Sequence, residues 1–234
     1  MTDRGKPTAL VPMTHTYQYP HPAVTTDVVL FTIREDSLQL LLIRRRNAPF
    51  EGRWALPGGF LDIDEDLERC AARELAEETG VTGIELEQLR TFGAVDRDPR
   101  ERVISVVYFA LARVENLHLR AGDDAADAGW FALRALPELA FDHDQIIRAA
   151  HDRLVTELSR SKIVFQFLPE TFTLEELRRV YEILVDAEID KRNFRRYFLT
   201  QGMLEPTGQL CRRGGQRQAR LYRARERDPV AHLG

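Results

Sequence analysis

Cysteine is scarce in this chain. Only Cys70 and Cys211 occur in 234 residues, and neither stands in a C-x-x-C pair or at metal-ligand spacing from a histidine. That excludes a disulfide framework and a cysteine-ligated zinc centre, and it fits a reducing compartment, the cytoplasm. Long apolar runs are missing too: none approaches the roughly 18 residues that a membrane-crossing helix needs. The opening MTDRGKPTALVPMTH has no apolar core behind its charges, so a secretory signal is not expected. A large excess of either charge is also absent, the net value being −4. This small total conceals a division. Residues 1–190 hold 22 Lys and Arg against 34 Asp and Glu, whereas residues 191–234 hold 11 against 3. An acidic body with a basic end points to two tasks on one chain, and the length suits a medium domain followed by a small one.

The most informative stretch runs from Gly58 to Val81, GGFLDIDEDLERCAARELAEETGV. Residues 65–79 contain no Gly or Pro, are rich in Glu, Ala, Leu and Arg, and lead into Gly80, so the stretch predicts a helix ending on a glycine cap. At about 100° per residue, Glu74 and Glu78 lie about 40° apart and Glu77 about 60° to the other side of Glu74. Three carboxylates on one arc repel one another unless a hard divalent cation takes them as oxygen ligands. Arg73, one turn before Glu77, can hold one of the carboxylates in place. Leu67, Ala71 and Leu75 recur at i, i+4 and i+8 and anchor the helix on a core. A merely solvated acidic face would require neither this spacing nor the Trp54-Ala55-Leu56-Pro57-Gly58-Gly59 that precedes it. Gly59, Glu65, Arg73, Glu74, Glu77, Glu78 and Gly80 stand at the positions of the signature G-x5-E-x7-R-E-U-x-E-E-x-G-U, with U aliphatic, and the segment therefore resembles the Nudix hydrolases. The resemblance implies that Glu74 and Glu78 bind Mg²⁺ or Mn²⁺ together with the Gly58 carbonyl. Glu77 would assist and Arg73 would complete the catalytic set. A general base usually lies outside the box, and Glu115, Asp123 and Asp124 are the candidates.

Elsewhere the pattern alternates as strands do. Ala23–Ile33 and Leu38–Arg45 read as a hairpin across Glu35-Asp36-Ser37, with Gly83–Gly93, Val103–Arg113 and a short run at Gly129–Phe131 as further strands. Trp54 is expected beneath the loop that precedes the box. Within the basic run Arg44-Arg45-Arg46, Arg44 and Arg46 are candidate contacts to a ligand's phosphates, the alternative being an ordinary surface run. Asp144–Leu158 reads as an amphipathic helix with Ile146, Ile147, Ala150 and Leu154 on one side. Strands flanking two helices predict an α/β/α sandwich with a mixed sheet, the architecture that the Nudix resemblance also implies.

A second unit starts near Lys162. Thr173 followed by Glu176 forms a potential capping box for a helix to Val185, and Asp190 caps a second helix to about Gln201. Met203–Thr207 and Ala219–Arg223 then read as two strands around a glycine-containing loop. Helix, turn, helix and basic hairpin give the layout of a winged helix-turn-helix. Phe194 and Phe198 mark the buried face of the second helix. Arg192 and Arg196 point away from it and Arg195 lies to the side, while Arg212, Arg213, Arg217 and Arg220 populate the wing; such a face suits duplex DNA. The expected division is an arm over 1–20, a Nudix-type domain over 21–160, the winged helix over 161–228 and a tail over 229–234.

The whole chain, including FGAVDRDPRERVISVVYFALA, LAFDH (Leu139–His143) and LPETFTLEELRRVYEILVDAEIDKRNFRRYFLTQGMLEPTG, resembles the Nudix-related transcriptional regulators of NAD metabolism. That resemblance implies a homodimer that represses NAD-synthesis or salvage genes at a palindromic operator and is released by ADP-ribose bound in its Nudix domain. Many members have lost residues of the box, whereas here it is complete, so Mg²⁺-dependent hydrolysis of ADP-ribose stays open. The alternative is an ADP-ribose pyrophosphatase whose C-terminal domain serves only for dimerisation.

Overall fold

The computed structural model describes residues 18–113, 125–158, 163–211 and 218–225. Its first part is built on one mixed seven-stranded sheet in the order β3-β2-β1-β6-β5, with β4 paired to β1 and β7 to β2. The strands are β1 (Ala23–Arg34), β2 (Ser37–Arg45), β3 (Trp54–Ala55), β4 (Gly58–Phe60), β5 (Glu87–Phe92), β6 (Val103–Leu111) and β7 (Ala125–Ala132). Only the β1–β6 pair is parallel. The short strands β3 and β4 were not foreseen, because two or three residues in a Gly- and Pro-rich loop carry no period. The β1–β2 hairpin turns on two residues, Glu35 and Asp36, both at positive φ, and Ser37 already belongs to the strand.

The near-continuous apolar runs of β1 and β6 follow from burial on both faces. Val28 and Leu30 meet Ala71 and Leu75 of α1 (Leu67–Thr79) on one side. Val29 and Phe31 meet Ile146, Ile147, Ala150 and Leu154 of α2 (His143–Leu158) on the other. The result is the α/β/α sandwich that the pattern predicts. Trp54 packs its ring edge-on against Phe131 of β7, with centroids 4.4 Å apart.

The second part contains α3 (Leu174–Val185), α4 (Lys191–Thr200) and the hairpin β8 (Leu204–Cys211) with β9 (Ala219–Ala224). The α3 capping box is complete: Glu176 N–H donates to the Thr173 hydroxyl at 3.1 Å, and Thr173 N–H donates to the Glu176 carboxylate at 2.8 Å. Asp190 caps α4 by accepting from Asn193 N–H at 2.8 Å. Phe172 adds a third strand position through paired main-chain bonds with Tyr222. This is a winged helix.

The two parts share one apolar core. The cluster under α2 continues through Val164, Phe167, Phe172, Leu177, Leu184, Phe194, Phe198 and Tyr222. Polar ties cross the same boundary: Tyr181 Oη–H donates to Leu158 O at 2.9 Å, and Arg179 pairs with Asp36 at 3.2 Å. Among the described residues no helix is long and apolar enough to cross a membrane.

Candidate ligand cavity and nucleic-acid interface

A cavity of about 460 Å³ opens where the sheet, α1 and the start of α2 meet. One wall is acidic. Glu74 and Glu78 reach it from successive turns of α1, and Asp27 reaches it from β1. Glu78 accepts from Gly58 N–H at 2.8 Å, which ties the glycine loop to the helix. Glu74 lies over Gly59: a Cβ there would stand 2.3 Å from Glu74 Oε1, so any side chain at 59 would push that carboxylate aside. Gly80 takes the left-handed conformation that ends α1 and donates to Ala76 O at 2.9 Å.

Arg73 organises the carboxylates around it. It makes a two-pronged contact with Glu65 at 2.9 and 2.8 Å, and one nitrogen reaches Glu74 at 2.7 Å and Glu77 at 3.2 Å. These bonds hold Glu65 down at a pKa of about 2. Glu74 is pushed up instead, since its burial outweighs the Arg73 contact, with Glu77 and Glu65 adding repulsion. Glu77 has a side chain 61% exposed and lies outside the cavity lining, so the three-carboxylate arc resolves into two inward groups and one outward one.

The facing wall is basic and aromatic: Arg45, Arg97, Arg100, Phe141 and His143. Arg45 and Arg100 both lie over the Phe141 ring, at 4.8 and 5.7 Å. Burial, and then the neighbouring Arg100, lower the Arg45 pKa. Arg97 forks onto Asp142 at 3.1 and 2.8 Å, with Asp27 at 3.6 Å. His143 Nδ1 accepts from Leu56 N–H at 2.9 Å, which leaves the ring proton on Nε2, facing Asp27. Its burial keeps the imidazole neutral by lowering its pKa.

Of the arginines proposed to meet phosphates, Arg44 and Arg46 are not in this lining. Successive residues of β2 point to opposite faces, so Arg45 turns inward while Arg44 is exposed and bonds Gly52 O at 3.1 Å. The period-2 pattern could have singled out Arg45, since Ile43 and Arg45 share a side. Asp27, Arg97, Arg100 and His143 had no local signal, because they meet only through the tertiary fold. Glu115, Asp123 and Asp124, proposed as the base, lie outside the described residues, as do Arg212, Arg213 and Arg217.

The acidic wall presents carboxylate oxygens of the kind that a hard divalent cation takes. No group of three or more His, Cys, Asp or Glu side chains among the described residues is arranged to cage a metal alone. Magnesium, however, takes one or two carboxylates and completes its shell with water and phosphate oxygens. Glu74 and Glu78 are the glutamates in the cavity lining that would offer such carboxylates.

The second surface is the outer face of α4. Phe194 and Phe198 are buried against each other and against Tyr181, with ring centroids 4.5 to 5.4 Å apart. Arg192, Arg195 and Arg196 are all exposed, and Arg196 donates to Asn193 Oδ1 at 2.9 Å. Arg220, on β9, is exposed as well.

A box-bearing α/β/α sandwich joined through a common core to a winged helix defines a Nudix-type protein with a DNA-binding-type module. The comparisons agree on both halves. The NUDIX domain model matches residues 22–150, and the NrtR DNA-binding winged helix domain model matches residues 164–224. The chain is 38% identical over 209 residues to an ADPR responsive transcriptional repressor, NtrR, of Acinetobacter baylyi, covering 88% of this chain and 83% of that protein. It is 45% identical over 130 residues to an ADP-ribose pyrophosphatase of Methanocaldococcus jannaschii, covering 56% of this chain and 73% of that one. Shewanella oneidensis NrtR complexed with a 27mer DNA superposes with a TM-score of 0.71 at 38% identity, covering 86% of this chain and 93% of the other. The Nudix domain of that NrtR complexed with ADP ribose gives 0.55 at 40% identity, over 58% of this chain and 90% of the other. The chain belongs to the NrtR family of Nudix-domain proteins with a C-terminal winged helix.

Proposed function

We propose that this protein is a transcriptional repressor of NAD-synthesis or salvage genes that binds duplex DNA through α4 and the wing and is released by ADP-ribose. It would act as a homodimer on a palindromic operator, with residues 21–160 as the sensing domain and 161–228 as the DNA-binding domain. The observation that carries this reading is the pairing, across one continuous core, of an acid-and-arginine cavity with an arginine-faced helix. Arg45 and Arg100 would meet the pyrophosphate, and Phe141 beneath them gives those guanidiniums a fixed platform. A ligand releases DNA only if it binds the DNA-free arrangement more tightly. Calorimetric titration of ADP-ribose with and without operator duplex tests this: equal affinities in the two states would end the proposal.

The complete box favours a second activity, cleavage of ADP-ribose to AMP and ribose 5-phosphate. A bound Mg²⁺ or Mn²⁺ would supply Lewis-acid polarisation of the phosphate and acidify a water. Glu74 and Glu78 would hold that ion, Arg73 would keep Glu74 oriented, and Arg45 and Arg100 would neutralise the far phosphate. Phosphate-monoester release by the wild type that disappears in both Glu74→Gln and Glu78→Gln would establish the enzyme. Metal binding without release would leave a sensor alone.

A further inference from the structure

We infer that Leu199 reads the 5-methyl group of a thymine in the major groove. This rests on the reading of α4 as the DNA-contacting helix and goes beyond it by naming a base and an atom. At about 100° per residue from the buried Phe194, Arg195 lies at about 100°, Leu199 at about 140°, Arg192 at about 160° and Arg196 at about 200°. Leu199 therefore sits inside the arginine face, between the lateral Arg195 and the outward Arg192 and Arg196. It is 46% exposed and belongs to none of the apolar clusters. Tyr197, 44% exposed, differs: it lies on the flank, and its ring packs on Phe198 at 5.2 Å.

The setting is what gives the exposed leucine its meaning, since single surface leucines are ordinary. Between Lys191 and Thr200 there is no acidic residue, and none of the three arginines has a carboxylate partner among the described residues. The face is thus complementary to a polyanion along its whole length. A helix of this size, about 15 Å long, fits a major groove about 12 Å wide. Arginines on such a face reach phosphates and the O6 and N7 of guanine, but leucine offers no hydrogen bond. The one apolar group on base edges in that groove is the thymine methyl, and its contact with Leu199 would remove apolar surface of both from water.

The test removes the methyl rather than only the side chain. Wild-type full-length protein selects duplexes from a randomised pool at fixed salt, and each thymine of the recovered sequence is then replaced in turn by deoxyuridine in both half-sites. Competition binding is measured for the wild type and for Leu199→Ala. At one thymine position the wild type should lose about fourfold per half-site, the value of one buried methyl group, while Leu199→Ala loses nothing at that position. The variant should melt close to the wild type, since Leu199 is an exposed position outside the buried apolar clusters. An equal uracil cost in both proteins overturns the inference, as does the absence of any uracil cost in the wild type. A wild type that enriches no sequence at all would instead bring down the DNA-binding reading itself.

Discussion

Gly59 has no side chain because the Glu74 carboxylate occupies the space where one would be. Gly59→Ala should displace Glu74 from the cavity while leaving α1 formed. Titration of Mn²⁺ followed by calorimetry is expected to show at least a tenfold loss of affinity, comparable with losing a group that orients a ligand, with an unchanged helical circular dichroism spectrum. Glu65 makes a pH prediction. Its folded pKa of about 2 lies below the ordinary 4.5 because Arg73 bonds the ionised form. The stability it contributes is therefore complete above pH 4.5 and is lost as the pH falls from 4.5 towards 2, where the unfolded chain takes up the proton first. Glu65→Gln should lower the melting temperature at neutral pH and converge on the wild type in that acid window, as read by thermal melts at stepped pH. At this scale the sequence was legible where one element carries both partners, as with Arg73 and the Glu74 and Glu77 carboxylates of α1. It was silent on Arg97, whose partner Asp142 lies 45 residues on, and it missed Arg45 because a run of three arginines hides the strand alternation.

Among the elements, α2 runs from the cavity to α3 of the winged helix. Its first residue, His143, lines the cavity, while Leu158 at its end accepts from Tyr181 of α3 and His151 Nε2 lies 3.4 Å from Leu184 O. Sixteen helical residues make a rod about 24 Å long. A shift of its first turn on ligand binding would have a direct packed route to the winged helix. Tyr181→Phe combined with His151→Ala should therefore keep ADP-ribose affinity within about twofold and reduce the coupling between ligand and DNA by about 0.5–2 kcal/mol, measured as the change in operator affinity with saturating ligand. Helix caps are a separate check on α3: Thr173→Ala removes the hydroxyl that accepts from Glu176 N–H, while the Thr173 N–H bond to Glu176 can persist, and should cost about 1 kcal/mol in denaturant unfolding. The elements with caps and a clean 3.6 period, α1, α3 and α4, were legible within about two residues. The brief strands β3 and β4 were not, since pairing with β2 and β1, rather than their own composition, makes them strands.

Taken whole, the molecule is two domains by topology but one by packing, since the apolar cluster that begins under β1 ends at Tyr222 of the wing. The basic end read from composition includes the exposed arginines of α4, yet nothing in the sequence announced that the two cores would merge. Scanning calorimetry should accordingly show a single unfolding transition, with a calorimetric enthalpy equal to the van't Hoff value. Two resolved transitions would contradict a shared core. The merging also bears on how long the protein survives in a cell. A ligand held in the cavity at a hundred times its dissociation constant adds about 2.7 kcal/mol against unfolding, and the common core spreads that protection to a winged helix the ligand never touches. Proteolytic attack on residues 174–200 should therefore slow when ADP-ribose is added. The signal that takes the protein off DNA would also preserve it, so that a pool of intact molecules is waiting when the signal fades.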